Sequence, residues 1–127
     1  MRIYKNKMFF KWAKSEGLHD KALVNAANEI TREQVDANLG GNLVKKRIAR
    51  KGQGKSGGYR TIVVFQKARR IFFVYGFGKN QRDNISEPEE KALKKLAQYL
   101  LNATETHLEK MTTNGDLFEV IDEENKK

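Results

Sequence analysis

Two neighbouring segments, residues 59–66 and 70–77, constrain the fold of this 127-residue chain most tightly. Both are rich in β-branched and aromatic residues, and both are apolar at odd and even positions alike through their middles: Ile62-Val63-Val64-Phe65 and Ile71-Phe72-Phe73-Val74-Tyr75. A strand with one wet face alternates, whereas a strand apolar on both faces is covered on both. Gln66-Lys67-Ala68-Arg69 is the right length for a hairpin loop between them. We therefore expect an antiparallel pair at the centre of a sheet, with helices covering one side. The length suits a single domain with one modest core.

The other elements arrange themselves around that pair. Residues 2–5 read as a short first strand. Phe9, Phe10, Trp12 and Ala13 cluster within residues 7–14, a short helix that Gly17 would end. Leu23, Ala27 and Ile30 recur at i, i+4 and i+7, which predicts a second helix from His19 or Asp20 to Thr31, with Asp20 as N-cap. Gly40-Gly41 breaks that pattern. Residues 43–50 alternate loosely, with Val44 and Ile48 on one face and Lys45, Arg47 and Ala49 on the other. Ser86-Glu87-Pro88-Glu89 is a capping box with proline in the first turn, and it opens a helix with Leu93, Leu96 and Leu100 on one face. After Thr104 the chain turns acidic: a short helix at residues 106–112, a turn at Asn114-Gly115 and a short strand at residues 117–121 are expected, with a frayed end.

Charge is distributed unevenly. Residues 37–82 contain twelve lysines and arginines and no acid, while the flanks together carry a slight negative excess. A basic centre between near-neutral flanks is the footprint of a surface made for a polyanion, and nucleic-acid phosphate is the commonest one. The chain has no cysteine, and its two histidines, His19 and His107, lie far apart in sequence, so neither a disulfide, a thiolate nor a histidine metal site is expected. The longest apolar runs are far short of a bilayer span, and no apolar h-region follows the N-terminal charges. We expect a cytoplasmic protein with no membrane association.

The segment Gly52-Gln53-Gly54-Lys55-Ser56-Gly57-Gly58 contains a Gly-Lys-Ser core, yet it is not a P-loop. The glycine required five positions before Gly54 is Ala49, and the loop runs into a strand instead of a helix. Two readings stay open for it. It is a flexible hairpin turn, or its glycines let backbone N–H groups approach phosphate while Lys55 supplies charge.

Taken in order, Leu39-Gly40-Gly41, Lys45-Lys46-Arg47-Ile48, Gly54-Lys55-Ser56-Gly57-Gly58-Tyr59-Arg60 and Phe77-Gly78-Lys79-Asn80 to Asn84-Ile85 resemble the RelE/HigB superfamily of toxins from bacterial type II toxin–antitoxin modules, in its longer branch. The resemblance covers about residues 3–103. It implies an α+β domain, residues 1–104, with a curved antiparallel sheet, two N-terminal helices and a C-terminal helix, followed by a short acidic extension, residues 105–127. It further implies an endoribonuclease that cleaves mRNA without a metal, usually on the translating ribosome, and that a cognate antitoxin, expected to carry a helix-turn-helix, holds inactive. Basic residues on the strand matching Lys45 and Arg47, an arginine at Arg60 and a basic residue near Lys79 or Asn80 correspond to the family's site. The tyrosine or histidine that several members place near the end of the core has no counterpart in Asp83-Asn84-Ile85-Ser86.

Metal-free cleavage of RNA needs a proton acceptor, a proton donor and stabilisation of negative charge at phosphorus. Arg60 is the candidate main phosphate ligand, because a planar fork binds two oxygens in fixed geometry. Lys45 and Arg47 share a face by alternation. Lys55 is a loop contact or proton carrier, since neighbouring cations lower a lysine pKa, and Lys79 closes the site from the last strand. Arg50, Lys51, Arg82 and Asn84 are candidates for holding RNA. Lys46 is too, although it shares a face with Val44 and Ile48 and should snorkel or sit at an edge. Tyr59 and Tyr75 either stack on bases or pack in the sheet. Two other readings stand beside the nuclease: a non-catalytic RNA- or ribosome-binding module on the same scaffold, and a DNA-binding regulator. Against the latter, the charge lies on strands, away from any recognition helix.

Overall fold

The computed structural model describes residues 1–50 and 54–121, with residues 54–56 as backbone only. In chain order the elements are β1 (Arg2–Asn6), α1 (Lys7–Glu16), α2 (Asp20–Thr31), β2 (Ala37–Gly40), β3 (Leu43–Arg50), β4 (Gly54–Gln66), β5 (Arg70–Gly78), α3 (Glu87–Leu101), α4 (Glu105–Thr113) and β6 (Leu117–Val120). One six-stranded sheet has the order β2-β3-β4-β5-β1-β6.

The long hairpin sits where its sequence requires. β4 and β5 are flanked by β3 and β1, and their connection is Lys67-Ala68-Arg69, with Ala68 in the left-handed region at φ 64°. The sheet is mixed and not the purely antiparallel one expected, because β1 pairs with β5 in parallel. The topology explains this: after β1 the chain crosses one face through α1 and α2 to the far edge, then returns through β2, β3, β4 and β5 to lie beside β1.

Helices cover both faces of the sheet instead of one. On the first, Phe9 and Ala13 of α1 and Leu23, Ala27 and Ile30 of α2 pack on Val44, Ile48, Tyr59, Val63, Ile71 and Phe73. On the second, Ala97 and Leu100 of α3 and Leu108 of α4 pack on Leu43, Ile62, Val64, Phe72 and Val74. This is why the central strands are apolar at every position: each side chain meets a helix layer.

The helix ends follow local chemistry. Asn6 caps α1 by accepting the Phe9 N–H at 2.8 Å, and Gly17, at φ 70°, closes it. α3 opens with the expected capping box between Ser86 and Glu89. The cap expected of Asp20 is absent; His19 holds the N-cap position of α2 without a side-chain bond, and the Asp20 carboxylate instead takes the buried Lys5 ammonium at 2.6 Å. That carboxylate still sits in the first turn, where the helix dipole favours it.

Three features differ from the linear reading. Gly40-Gly41 is the turn of a β2–β3 hairpin, not merely a helix breaker; Gly40, Gly41 and Asn42 all have positive φ. Much of the glycine-rich segment is strand, because β4 starts at Gly54. A Cβ on Gly58 would lie 2.3 Å from the Ile48 carbonyl oxygen and 2.7 Å from the Arg50 nitrogen, so the approach of β3 alone demands glycine there. Finally, the segment after residue 104 is part of the fold. β6 pairs antiparallel with β1, and Leu108 and Leu117 are buried in the same cluster as α3.

Candidate nucleic-acid interface

The register of β3, β4 and β5 lays out the site in two cross-strand rows. Lys45 lies opposite Ile62, and Ile62 opposite Tyr75; Arg47 lies opposite Arg60, and Arg60 opposite Phe77. Val44 and Ile48 face α1 and α2, so Lys45 and Arg47 face the α3 side. Tyr59 also faces α1 and α2, which turns Arg60 the same way as Lys45 and Arg47. Three cations on adjacent strands thus share one sheet face, next to the apolar rows that α3 covers.

Arg60 is only 5% exposed. Arg47 stands directly opposite it across β3 and β4, a like-charge juxtaposition that an antiparallel ladder does not favour by itself. Arg47 is partly balanced already. Asp36, the acid bordering the acid-free window, accepts the Arg47 backbone N–H at 2.5 Å and lies 3.6 Å from its Nε. Lys45 is half-buried and has no side-chain partner among the described residues.

A second group continues the same face. Arg82 donates from Nη2 to Glu89 Oε1 at 2.6 Å and from Nη1 to Glu89 Oε2 at 2.9 Å, a two-pronged grip on one carboxylate. Its Nη1 also reaches the Tyr75 hydroxyl at 3.2 Å, and its guanidinium lies 5.6 Å from the Phe77 ring centroid. The Tyr75 hydroxyl donates to Glu89 Oε2 at 3.3 Å. The Arg82 fork, joined by the Ser86 N–H, holds the Glu89 carboxyl down at about 2.

The remaining sequence candidates fall in different places. Lys79 is exposed one residue beyond β5, its backbone N–H donating to the Gly58 carbonyl at 3.2 Å. Asn84 is exposed, but its side-chain oxygen accepts the Ile85 N–H and its carbonyl accepts from Arg82 Nε. Lys46 is on the opposite face, 4% exposed, with Nζ 2.8 Å from Glu29 Oε1 and 2.7 Å from the Gln34 carbonyl. It is paired and buried, where snorkelling or an edge position was expected. Arg50 also leaves the cationic face, with its guanidinium 5.7 Å from the Tyr59 ring on the α1 side. Lys51 and the side chain of Lys55 lie outside the described residues. Tyr59 is core: it meets Trp12 edge-on at 5.3 Å. Neither histidine reaches the Arg47–Arg60 row; His19 lines a groove with Arg50 and Tyr59, and His107 meets the Tyr99 hydroxyl.

Phe77, Glu89 and Asp36 were not legible as site residues in the sequence, and Tyr75 was read there only as a residue that stacks on bases or packs in the sheet. A register shift between Ile62 and Val63 explains Tyr75. Strict alternation from Phe73, which packs under α1, would bury Tyr75 on that side; the extra residue, Val74, turns it onto the α3 side. Glu89 was visible only as a cap, since nothing in the chain links it to Arg82 before the fold does.

Two helix layers around a mixed sheet, with an arginine- and lysine-bearing face continued by a tyrosine, make up a small α+β domain with one cationic sheet face. The sequence model of the RelE toxin of the RelE/RelB toxin–antitoxin system matches residues 1–120, and the chain belongs to this family of toxins. The match runs through α4 and β6, in agreement with their packing. None of the curated proteins matches the chain. Among the described residues, no helix is long and apolar enough to cross a membrane.

Proposed function

We propose that this toxin is an endoribonuclease that cleaves mRNA in the cytoplasm, on the translating ribosome, and so inhibits translation. The observation that carries the reading is the convergence of Lys45, Arg47 and Arg60 on one sheet face, with Tyr75 and Arg82 beside them. In this reaction the 2′-hydroxyl gives up its proton and attacks the adjacent phosphorus. The bond from phosphorus to the 5′-oxygen breaks, and that oxygen takes a proton. The products are a 2′,3′-cyclic phosphate and a 5′-hydroxyl.

Arg60 and Arg47 hold the phosphoryl oxygens and stabilise their added charge in the transition state. Burial of Arg60 strengthens that interaction and fixes its direction before substrate arrives. Lys45 or Lys55 accepts the proton of the 2′-hydroxyl. The Tyr75 hydroxyl, already in a hydrogen-bonded chain with Arg82 and Glu89, is the donor candidate that Asp83-Asn84-Ile85-Ser86 does not supply. Lys79 and Arg82 bind flanking phosphates. A cognate antitoxin of helix-turn-helix type neutralises the toxin.

Induced expression of the wild-type chain should arrest protein synthesis and growth, and co-expression of the antitoxin should relieve this. Arg60→Ala should lose the arrest while keeping a native circular dichroism spectrum. Full toxicity of a folded Arg60→Ala variant would sink the assignment. The competing reading, RNA binding without cleavage, draws on the position of both histidines away from the Arg47–Arg60 row, and it predicts arrest without new RNA ends.

A further inference from the structure

Arg82 makes contacts that a surface ion pair does not need. Its fork grips both oxygens of one carboxylate, its plane lies by the Phe77 ring, and a tyrosine hydroxyl completes the contact. Phe77 is the neighbour of Arg60 across β4 and β5, so this fork adjoins the Arg47–Arg60 row. A phosphodiester presents two anionic oxygens to an arginine fork in the same way as a carboxylate. We propose that Arg82, with the Tyr75 hydroxyl, is a phosphate subsite that the free toxin fills with its own Glu89, and that RNA binds by exchanging a backbone phosphate for that carboxylate.

The inference rests on the RNA-directed reading above. Three observations support the exchange. Arg82 and Glu89 side chains are each about a third exposed, at 34%, so an incoming phosphate reaches the pair without opening the core. Glu89 has a second anchorage, because its Oε1 also accepts the Ser86 N–H at 2.8 Å; on leaving Arg82 it remains the partner of the α3 cap. The strongly depressed Glu89 carboxyl shows that this pocket favours an anion. The consequence is a competition: the chain's own charge weakens RNA binding at this subsite and screens the cationic face from adventitious anions until several phosphates engage together.

Glu89→Gln separates the two duties of the residue, since glutamine keeps the capping-box bond and removes the charge. The probe is a single-stranded 2′-O-methyl RNA, which lacks the attacking hydroxyl and is not cleaved. With the competing charge removed, Glu89→Gln should bind this RNA about tenfold more tightly, where tenfold is about 1.4 kcal/mol. Its affinity should also fall more steeply with salt, by about 0.7 in log–log slope, because the phosphate at Arg82 no longer displaces a carboxylate that takes up a cation on release. In an Arg82→Ala background the same substitution should bring no gain. Equal or weaker binding by Glu89→Gln, with wild-type RNA binding intact, overturns the exchange alone. Absence of salt-dependent RNA binding by the wild type overturns the RNA-directed reading and the exchange with it.

Discussion

Lys45 and Lys46 are chain neighbours with opposite fates, and the difference is one of register. Lys45 stands among arginines on the α3 side, whereas Lys46 is sealed beneath α2 against Glu29 and the Gln34 carbonyl. Lys46→Met takes the ammonium out of a largely buried ion pair, but Glu29 keeps partial access to water, which lowers the cost. Lys46→Met should therefore lose about 1–2 kcal/mol in urea denaturation, with toxicity falling only through stability. Lys45→Met should change stability by less than about 0.5 kcal/mol and lose toxicity outright. Alternation in the sequence separated these two residues correctly, because β3 has no irregularity between Leu43 and Ile48. Glu89 shows where such reading stops, since its partner Arg82 depends on how α3 returns to the sheet. The pairing also has a pH signature. A carboxyl held at about 2 when folded and near the usual range when unfolded contributes stability above the unfolded value and loses it as pH falls. The melting-temperature gap between wild type and Glu89→Gln should be full above about pH 5 and close progressively as pH drops from about 4.5 towards 2.

At the scale of elements, irregularities in the strands set the site as much as the strands themselves. β3 and β4 shift register between Ile48 and Arg50, and β4 and β5 shift between Ile62 and Val63. The second shift presents Tyr75 beside Arg82, and the first brings Gly58 against the β3 backbone. Gly58→Ala should disrupt the β3–β4 ladder next to Arg60, since backbone atoms at 2.3 Å and 2.7 Å cannot move aside as a flexible side chain does. A loss of about 3 kcal/mol is expected from such overpacking, read by thermal melting, and a variant as stable as wild type would contradict the register. Regular features were visible beforehand for a physical reason. The capping box of α3, Gly17 after α1 and the short loop at Ala68 are local chemistry, encoded within a few residues. β2 escaped notice because it is four residues long at a sheet edge, with no apolar run of its own.

For the whole molecule, the acidic C-terminal segment decides between appendage and architecture. Its strand β6 lies at the edge of the sheet beyond β1, on the opposite side of β5 from the Lys45, Arg47 and Arg60 strands, and α4 packs against β6. It therefore completes the core and does not lie over the cationic rows. Truncation after Ala103 removes Leu108, Leu117 and Val120, all buried, at about 1.5–3 kcal/mol each. That sum is comparable to the total stability of a small domain, typically about 5–15 kcal/mol. The truncated chain should be insoluble or unfolded by circular dichroism; a folded, active fragment would contradict this structural role. The family's fold was legible from the order of its motifs, and the charge window covers the strands that carry the proposed site. Which cations share a face, and that Tyr75 stands beside them, required the register. The central claim is that the Lys45–Arg47–Arg60 face cuts RNA, and mapping mRNA 5′ ends by primer extension on translating ribosomes tests it most directly. The wild-type toxin should generate new 5′-hydroxyl ends that disappear with a folded Arg60→Ala variant. Arrested translation with no new ends, or the same ends from Arg60→Ala, would contradict it.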